Sequence, residues 1–111
     1  MKQGEIWLVQ YPEGMEHEFK NDRPALVIES NKQIERSNIF AVMAITSNLN
    51  NRLDEDINLL PDAQNHLWKD SVIKVHHIQS FAAGRFIKKI GIAGDVILSQ
   101  VKEYLKVHFA I

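Results

Sequence analysis

Arg23 stands beside Pro24 where a polar stretch gives way to the apolar run Ala25-Leu26-Val27-Ile28. A guanidinium held at a rigid strand start presents a planar fork of donors that suits a phosphate or a carboxylate. A solvated arginine at a strand end fits the same spacing and is the commoner meaning. Thr46 and Ser47 follow a second apolar run over 39–45. Their hydroxyls can donate to an anionic ligand, and equally can satisfy the backbone of a turn.

The five histidines are His17, His66, His76, His77 and His108. None of their spacings matches the helical pair of zinc hydrolases, and the adjacent rings of His76 and His77 diverge on a strand, so no metal site is expected. As a proton carrier His76 is the better placed, beside Lys74, with His17 in a loop as the other candidate. His77 reads as a packing residue, and His66 and His108 as incidental. Asp54-Glu55-Asp56 reads most simply as a solvated acidic turn, with metal binding the alternative. No residue is cysteine, which excludes a thiolate nucleophile, a disulfide scaffold and a thiolate zinc site.

Six strands must position these groups. Ile6-Trp7-Leu8-Val9-Gln10-Tyr11 is aromatic and β-branched, apolar at successive positions and stopped by Pro12, which predicts a central strand covered on both faces. Residues 13–22 are polar and aperiodic and predict a long loop, the kind of segment that carries function in a small domain. Strands follow over 25–28, 39–45 and 57–60, with one helical turn within 62–69. The alternation over 71–78 puts Lys74 and His76 on one face and Ile73, Val75 and His77 on the other. A sixth strand covers 86–90 and ends at Gly91. From Asp95, the residues Ile97, Leu98, Val101, Tyr104, Leu105 and Phe109 recur at helical spacing opposite Gln100, Glu103 and Lys106.

This pattern, with no alternation of strand and helix, predicts a mainly β fold closed by one C-terminal helix: a small antiparallel barrel or sandwich. A chain of 111 residues that is 45% hydrophobic supports one domain over 1–111 and not two. Thirteen basic against fourteen acidic residues leave a net charge of −1, so any nucleic-acid site must be a local cluster of cations. No apolar stretch approaches the roughly 20 residues of a membrane span, and Met1-Lys2-Gln3-Gly4-Glu5 leads into no signal-type region, which together predict an intracellular, cytoplasmic protein.

Five pieces in order carry a resemblance: Gly4-Glu5-Ile6-Trp7-Leu8-Val9, Asn21-Asp22-Arg23-Pro24-Ala25-Leu26-Val27-Ile28, Ala44-Ile45-Thr46-Ser47, Asp70-Ser71-Val72-Ile73-Lys74-Val75, and Lys88-Lys89-Ile90-Gly91 before the last helix. Over nearly the whole chain they resemble the MazF/PemK toxins of bacterial toxin–antitoxin pairs. The resemblance implies a small SH3-like, CcdB-like antiparallel β-barrel that works as a homodimer and cleaves single-stranded RNA without a metal or other cofactor. It also implies a cognate antitoxin as partner.

Metal-free cleavage by the substrate's own 2′-hydroxyl needs a base, a stabiliser for the charged phosphorane and an acid for the 5′-oxygen. By resemblance Arg23 is the stabiliser, since it is a poor proton shuttle and a good clamp on phosphate oxygens, and Thr46 donates to the same phosphate with Ser47 beside it. The proton carriers stay open between His76 and His17, because some relatives have an aspartate at the position of His76 and an arginine at that of Lys74. Glu16, His17 and Lys20 fall in the loop that covers RNA in this family, and Phe19 there either stacks on a base or packs on the barrel. Lys20, Arg23, Lys74 and Lys88 are expected to converge in one groove. Two other readings stand beside this one: a gyrase poison of the CcdB type, whose members end in Trp-Gly-Ile where this chain has Phe109-Ala110-Ile111, and a catalytically silent barrel that binds only its antitoxin.

Overall fold

The computed structural model describes residues 1–12 and 21–111. Glu16, His17, Phe19 and Lys20, singled out above, lie outside the described residues. The elements run β1 (Glu5–Tyr11), β2 (Asn21–Val27), α1 (Asn31–Ile34), β3 (Ile39–Thr46), β4 (Ile57–Leu59), β5 (Ser71–Ala82), β6 (Phe86–Ile92) and α2 (Asp95–Phe109), with single 3₁₀ turns at Leu49–Asn51 and Ala83–Arg85. All strand pairs are antiparallel, in one curled sheet of order β4-β5-β3-β2-β1-β6, a half-barrel with a C-terminal helix.

The successive apolar residues of β1 are explained by two cores, one on each face of the sheet. Ile6, Leu26, Met43, Ile45, Ile73, Val75 and Val101 form the first, and α2 lays Ile97, Tyr104 and Leu105 against it. Val9, Tyr11, Ala25, Val27, Val42, Ala44 and Phe81 form the second, with Trp7 and Phe86 packed alongside. Each fully buried aliphatic side chain contributes about 1.5–3 kcal/mol relative to exposure. Helix α2 therefore owes its place to the stripe through Val101, the one of its residues buried to 1% exposure. It ends where Ala110 turns left-handed (φ 54°) and returns its N–H to Lys106 and Val107 carbonyls.

Two local features refine the sequence pattern. The segment 62–69 holds a single turn, closed by His66 N–H to Asp62 O (3.3 Å), that does not continue as a helix. The Asp62 carboxylate accepts from the N–H groups of Gln64 (2.8 Å) and Asn65 (2.7 Å), and the buried Asn65 side chain accepts from Asp62 and Leu67 N–H and donates to Leu60 O. These side-chain bonds compete with a helical ladder, and His66 at φ 56° ends any right-handed winding. In β5 the register on β3 jumps from Ala44↔Lys74 to Met43↔Ile78, bulging the strand over 75–77 and breaking the simple alternation.

Candidate active site

A cleft of about 700 Å³ opens between β1, β2, β6 and the 66–71 segment. Leu8, Pro24, Ile45, Leu67 and Ile90 form its floor, and its polar groups include Arg23, Ser47, His66, Lys69, Lys88 and Lys89. Among the described residues, four cations therefore line the cleft and no carboxylate does. In a chain of net charge −1 this is a local positive cluster, and of the four cations expected to converge it contains Arg23 and Lys88.

Arg23 reaches the cleft because β2 pairs with β1 through Val9↔Arg23 and Leu8↔Pro24, whereas pairing with β3 begins only at Ala25↔Ala44. Pro24 thus lies where β2 has no ladder on that side and needs no N–H. Burial pushes the Tyr11 hydroxyl far above its ordinary range, and the Arg23 guanidinium opposes that shift, which places its charge near the end of β1. Lys89 extends to the Glu5 carboxylate (3.2 Å). Burial raises the Glu5 carboxyl, but hydrogen bonds from Trp7 Nε1 (2.9 Å) and Lys2 N–H (3.0 Å), with Lys89, outweigh it and hold the group below its usual range.

Ser47 is exposed at the cleft edge. Thr46 is buried at the end of β3, where its Oγ1 accepts from Asn48 N–H (3.0 Å) and shapes the turn. One hydroxyl thus faces the cleft and its neighbour holds the backbone that presents it.

The structure puts Lys74 and His76 elsewhere. The Lys74 ammonium is 3% exposed and donates to Asp56 Oδ2 (2.7 Å) and Asn51 O (2.8 Å). His76 Nε2 meets Glu55 Oε2, its Nδ1 meets the Tyr104 hydroxyl (3.2 Å), and His108 stacks on Tyr104. Glu55 and Asp56 raise the Tyr104 hydroxyl further after burial has begun the shift. The turn Asp54-Glu55-Asp56 is therefore not simply solvated: Asp56 is buried, and the polar face of β5 is tied to that turn. The bonds fasten the segment between β3 and β4 to the sheet.

The cleft contains residues that sequence reasoning passed over. His66 was read as incidental, and Trp68, Lys69 and Lys89 were given no role. Trp68 is 96% exposed and lines the cleft. The legible signal was Trp68-Lys69, an aromatic and a cation placed between a polar turn and an apolar strand; that it lay beside Arg23 was not legible. Among the described residues, no group of three His, Asp or Glu residues could hold a metal ion.

A half-barrel of antiparallel strands, one packed C-terminal helix and a cation-lined cleft at the start of β2 define a class of small β-proteins with a basic cleft. The family model described as the PemK-like, MazF-like toxin of type II toxin–antitoxin systems matches residues 2–109, and the chain belongs to that family. It is 28% identical over 113 aligned positions to endoribonuclease MazF9 of Mycobacterium tuberculosis, covering 97% of this chain and 95% of that protein. The fold matches crystallised MazF from Deinococcus radiodurans with a TM-score of 0.78 at 19% identity, covering 100% and 97% of the two chains. It matches a chain of the MazE–MazF structure from the same organism with a TM-score of 0.76 at 17% identity, covering 100% and 96%.

Proposed function

We propose that this chain is an endoribonuclease toxin that cuts single-stranded RNA, and that a cognate antitoxin silences it by covering the cleft. The observation that carries the reading is the convergence of Arg23, Lys69, Lys88 and Lys89, with no carboxylate among them, on one cleft. A polyanion is attracted there, and a rigid guanidinium is suited to the charge that develops on phosphorus during cleavage. Membership of the toxin family and likeness to a named endoribonuclease support the same conclusion.

In this reading the RNA 2′-hydroxyl attacks the adjacent phosphorus and Arg23 clamps the phosphorane oxygens. Ser47 donates to the same phosphate, and Thr46 sets the turn that holds Ser47. Trp68 is the second support. An indole exposed beside cations is a platform on which a base stacks, a contact worth about 1–3 kcal/mol per base. Glu16, His17, Phe19 and Lys20 remain loop candidates by family resemblance, while Lys74 and His76 act at a distance, holding the segment between β3 and β4. The toxin works as a homodimer in the cytoplasm, where its RNA is; among the described residues no helix is long and apolar enough to cross a membrane.

The test is incubation of the purified protein in excess EDTA with a long, structure-poor RNA and with its DNA equivalent, repeated with Arg23→Ala. Discrete cuts in RNA alone, lost in the variant, are expected. Intact RNA from protein that still arrests growth would move the activity to a protein target such as gyrase, and intact RNA without growth arrest would leave a silent barrel.

A further inference from the structure

We infer that His66 is the proton acceptor of the cleft, a catalytic role that rests on the ribonuclease reading above. Three independent observations converge on it. His66 lines the same cleft as Arg23 and Ser47. Its Nδ1 lies 2.8 Å from Ile90 O, and since a carbonyl only accepts, Nδ1 carries the proton and donates. That bond fixes the tautomer and leaves Nε2, on the far side of the ring, as a lone-pair acceptor.

The third observation is how firmly the residue is held. His66 has φ 56°, a conformation that glycine adopts freely and a histidine adopts at a cost. The turn that imposes it is closed by His66 N–H to Asp62 O (3.3 Å) and clamped onto β6 by Ile92 N–H to Gln64 O (3.0 Å). Gly91 permits the approach: a Cβ there would lie 2.5 Å from Gln64 O and 2.6 Å from Asn65 O. A strained, exposed histidine with one nitrogen committed and the other without a partner among the described residues is a preorganised base. His76, by contrast, has both ring nitrogens occupied by Glu55 and Tyr104.

The step balances as follows. His66 Nε2 takes the proton of the RNA 2′-hydroxyl as the O2′–P bond forms and the P–O5′ bond breaks, giving a 2′,3′-cyclic phosphate. The departing 5′-oxygen takes a proton from water, and the imidazolium returns its proton to the hydroxide so formed.

The experiment compares wild type with His66→Gly and His66→Asn on a synthetic single-stranded RNA carrying the wild-type cut site. Glycine relieves the positive φ and asparagine tolerates it, so both variants are expected to fold, with thermal midpoints at or above that of wild type. Both should lose at least about 100-fold in kcat with KM little changed, and added imidazole should restore cutting by His66→Gly. An unchanged kcat, a loss carried by KM, or a loss that imidazole does not relieve overturns the assignment while wild-type cleavage preserves the ribonuclease reading. A wild-type chain that cuts no RNA removes both.

Discussion

The molecule has two polar regions on one sheet, and they are built in opposite ways. Around Lys74, charges are closed on themselves: the ammonium meets Asp56 at 2.7 Å in a buried site, and His76, Glu55 and Tyr104 bond to one another at its edge. Around Arg23, cations line an open cleft with no carboxylate among the described lining residues. The first region pairs its charges within the fold, and the second gathers cations along an open cleft, with Lys89 reaching the Glu5 carboxylate (3.2 Å). Removing one partner of a buried pair leaves an uncompensated charge in the interior, whereas like charges gathered in an open cleft repel one another and attract an anion.

The contrast is broken most severely at the closed region. Asp56→Ala leaves the Lys74 ammonium buried without its partner and should cost about 3–5 kcal/mol in a denaturant melt, whereas replacing both residues together with apolar ones of similar volume should recover most of it. If the single variant proves neutral, the pair is not what secures the segment between β3 and β4. At the open region Arg23→Ala should reverse the pattern. Cleavage should fall about 10²–10³-fold, while stability in the same melt falls by much less than in the Asp56 variant, because no buried charge is left unpaired. A collapse of the fold there would mean that Arg23 belongs to the closed type.

Three smaller effects sharpen the comparison. Trp68→Ala should weaken binding of a 2′-O-methyl RNA by about 1–3 kcal/mol with Trp68→Phe close to wild type; equal affinities would take the indole out of the RNA path. His76→Ala should cost at most about 1 kcal/mol, because the pair with Glu55 is substantially exposed, and should leave cleavage within a few-fold; a large loss of cutting would return the proton work to His76. Glu5 links the two behaviours, since it restrains Lys89 at the cleft. Its carboxyl sits below the ordinary value of 4.5 in the folded chain, so its contribution is present above that value and is lost as pH falls through the lower folded one. Acid melts of Glu5→Gln should therefore show a shallower loss of stability below about pH 4.5 than wild type, and identical slopes would disprove the linkage.

Local pattern carried most of the architecture. The apolar runs at β1, β2 and β3 and the 3.6-residue stripe of α2 were legible because burial on a sheet face or a helix stripe imposes its period on the residues themselves. Arg23 and Ser47 were legible as candidates because Pro24 and the end of β3 mark strand termini. The 62–69 segment was legible only as a turn, because its shape and docking come from the Asp62 and Asn65 side chains and from Gly91 in β6, far along the chain.

What the sequence determined by itself was therefore a mainly β chain with a closing helix, the absence of thiol chemistry and the need for a local cluster of cations. It also carried, through five ordered pieces, the likeness to a toxin family. Only the tertiary structure decided which cations cluster. Lys74 and Lys88 look alike in sequence, each in a strand with a second polar residue nearby, yet one is buried against Asp56 and the other lines the cleft. The same holds for His66 and His76. A residue's type fixes what it can do chemically, but the partners that remain available to it depend on residues distant in sequence, and those are brought together only when the sheet curls and the connecting turns dock upon it.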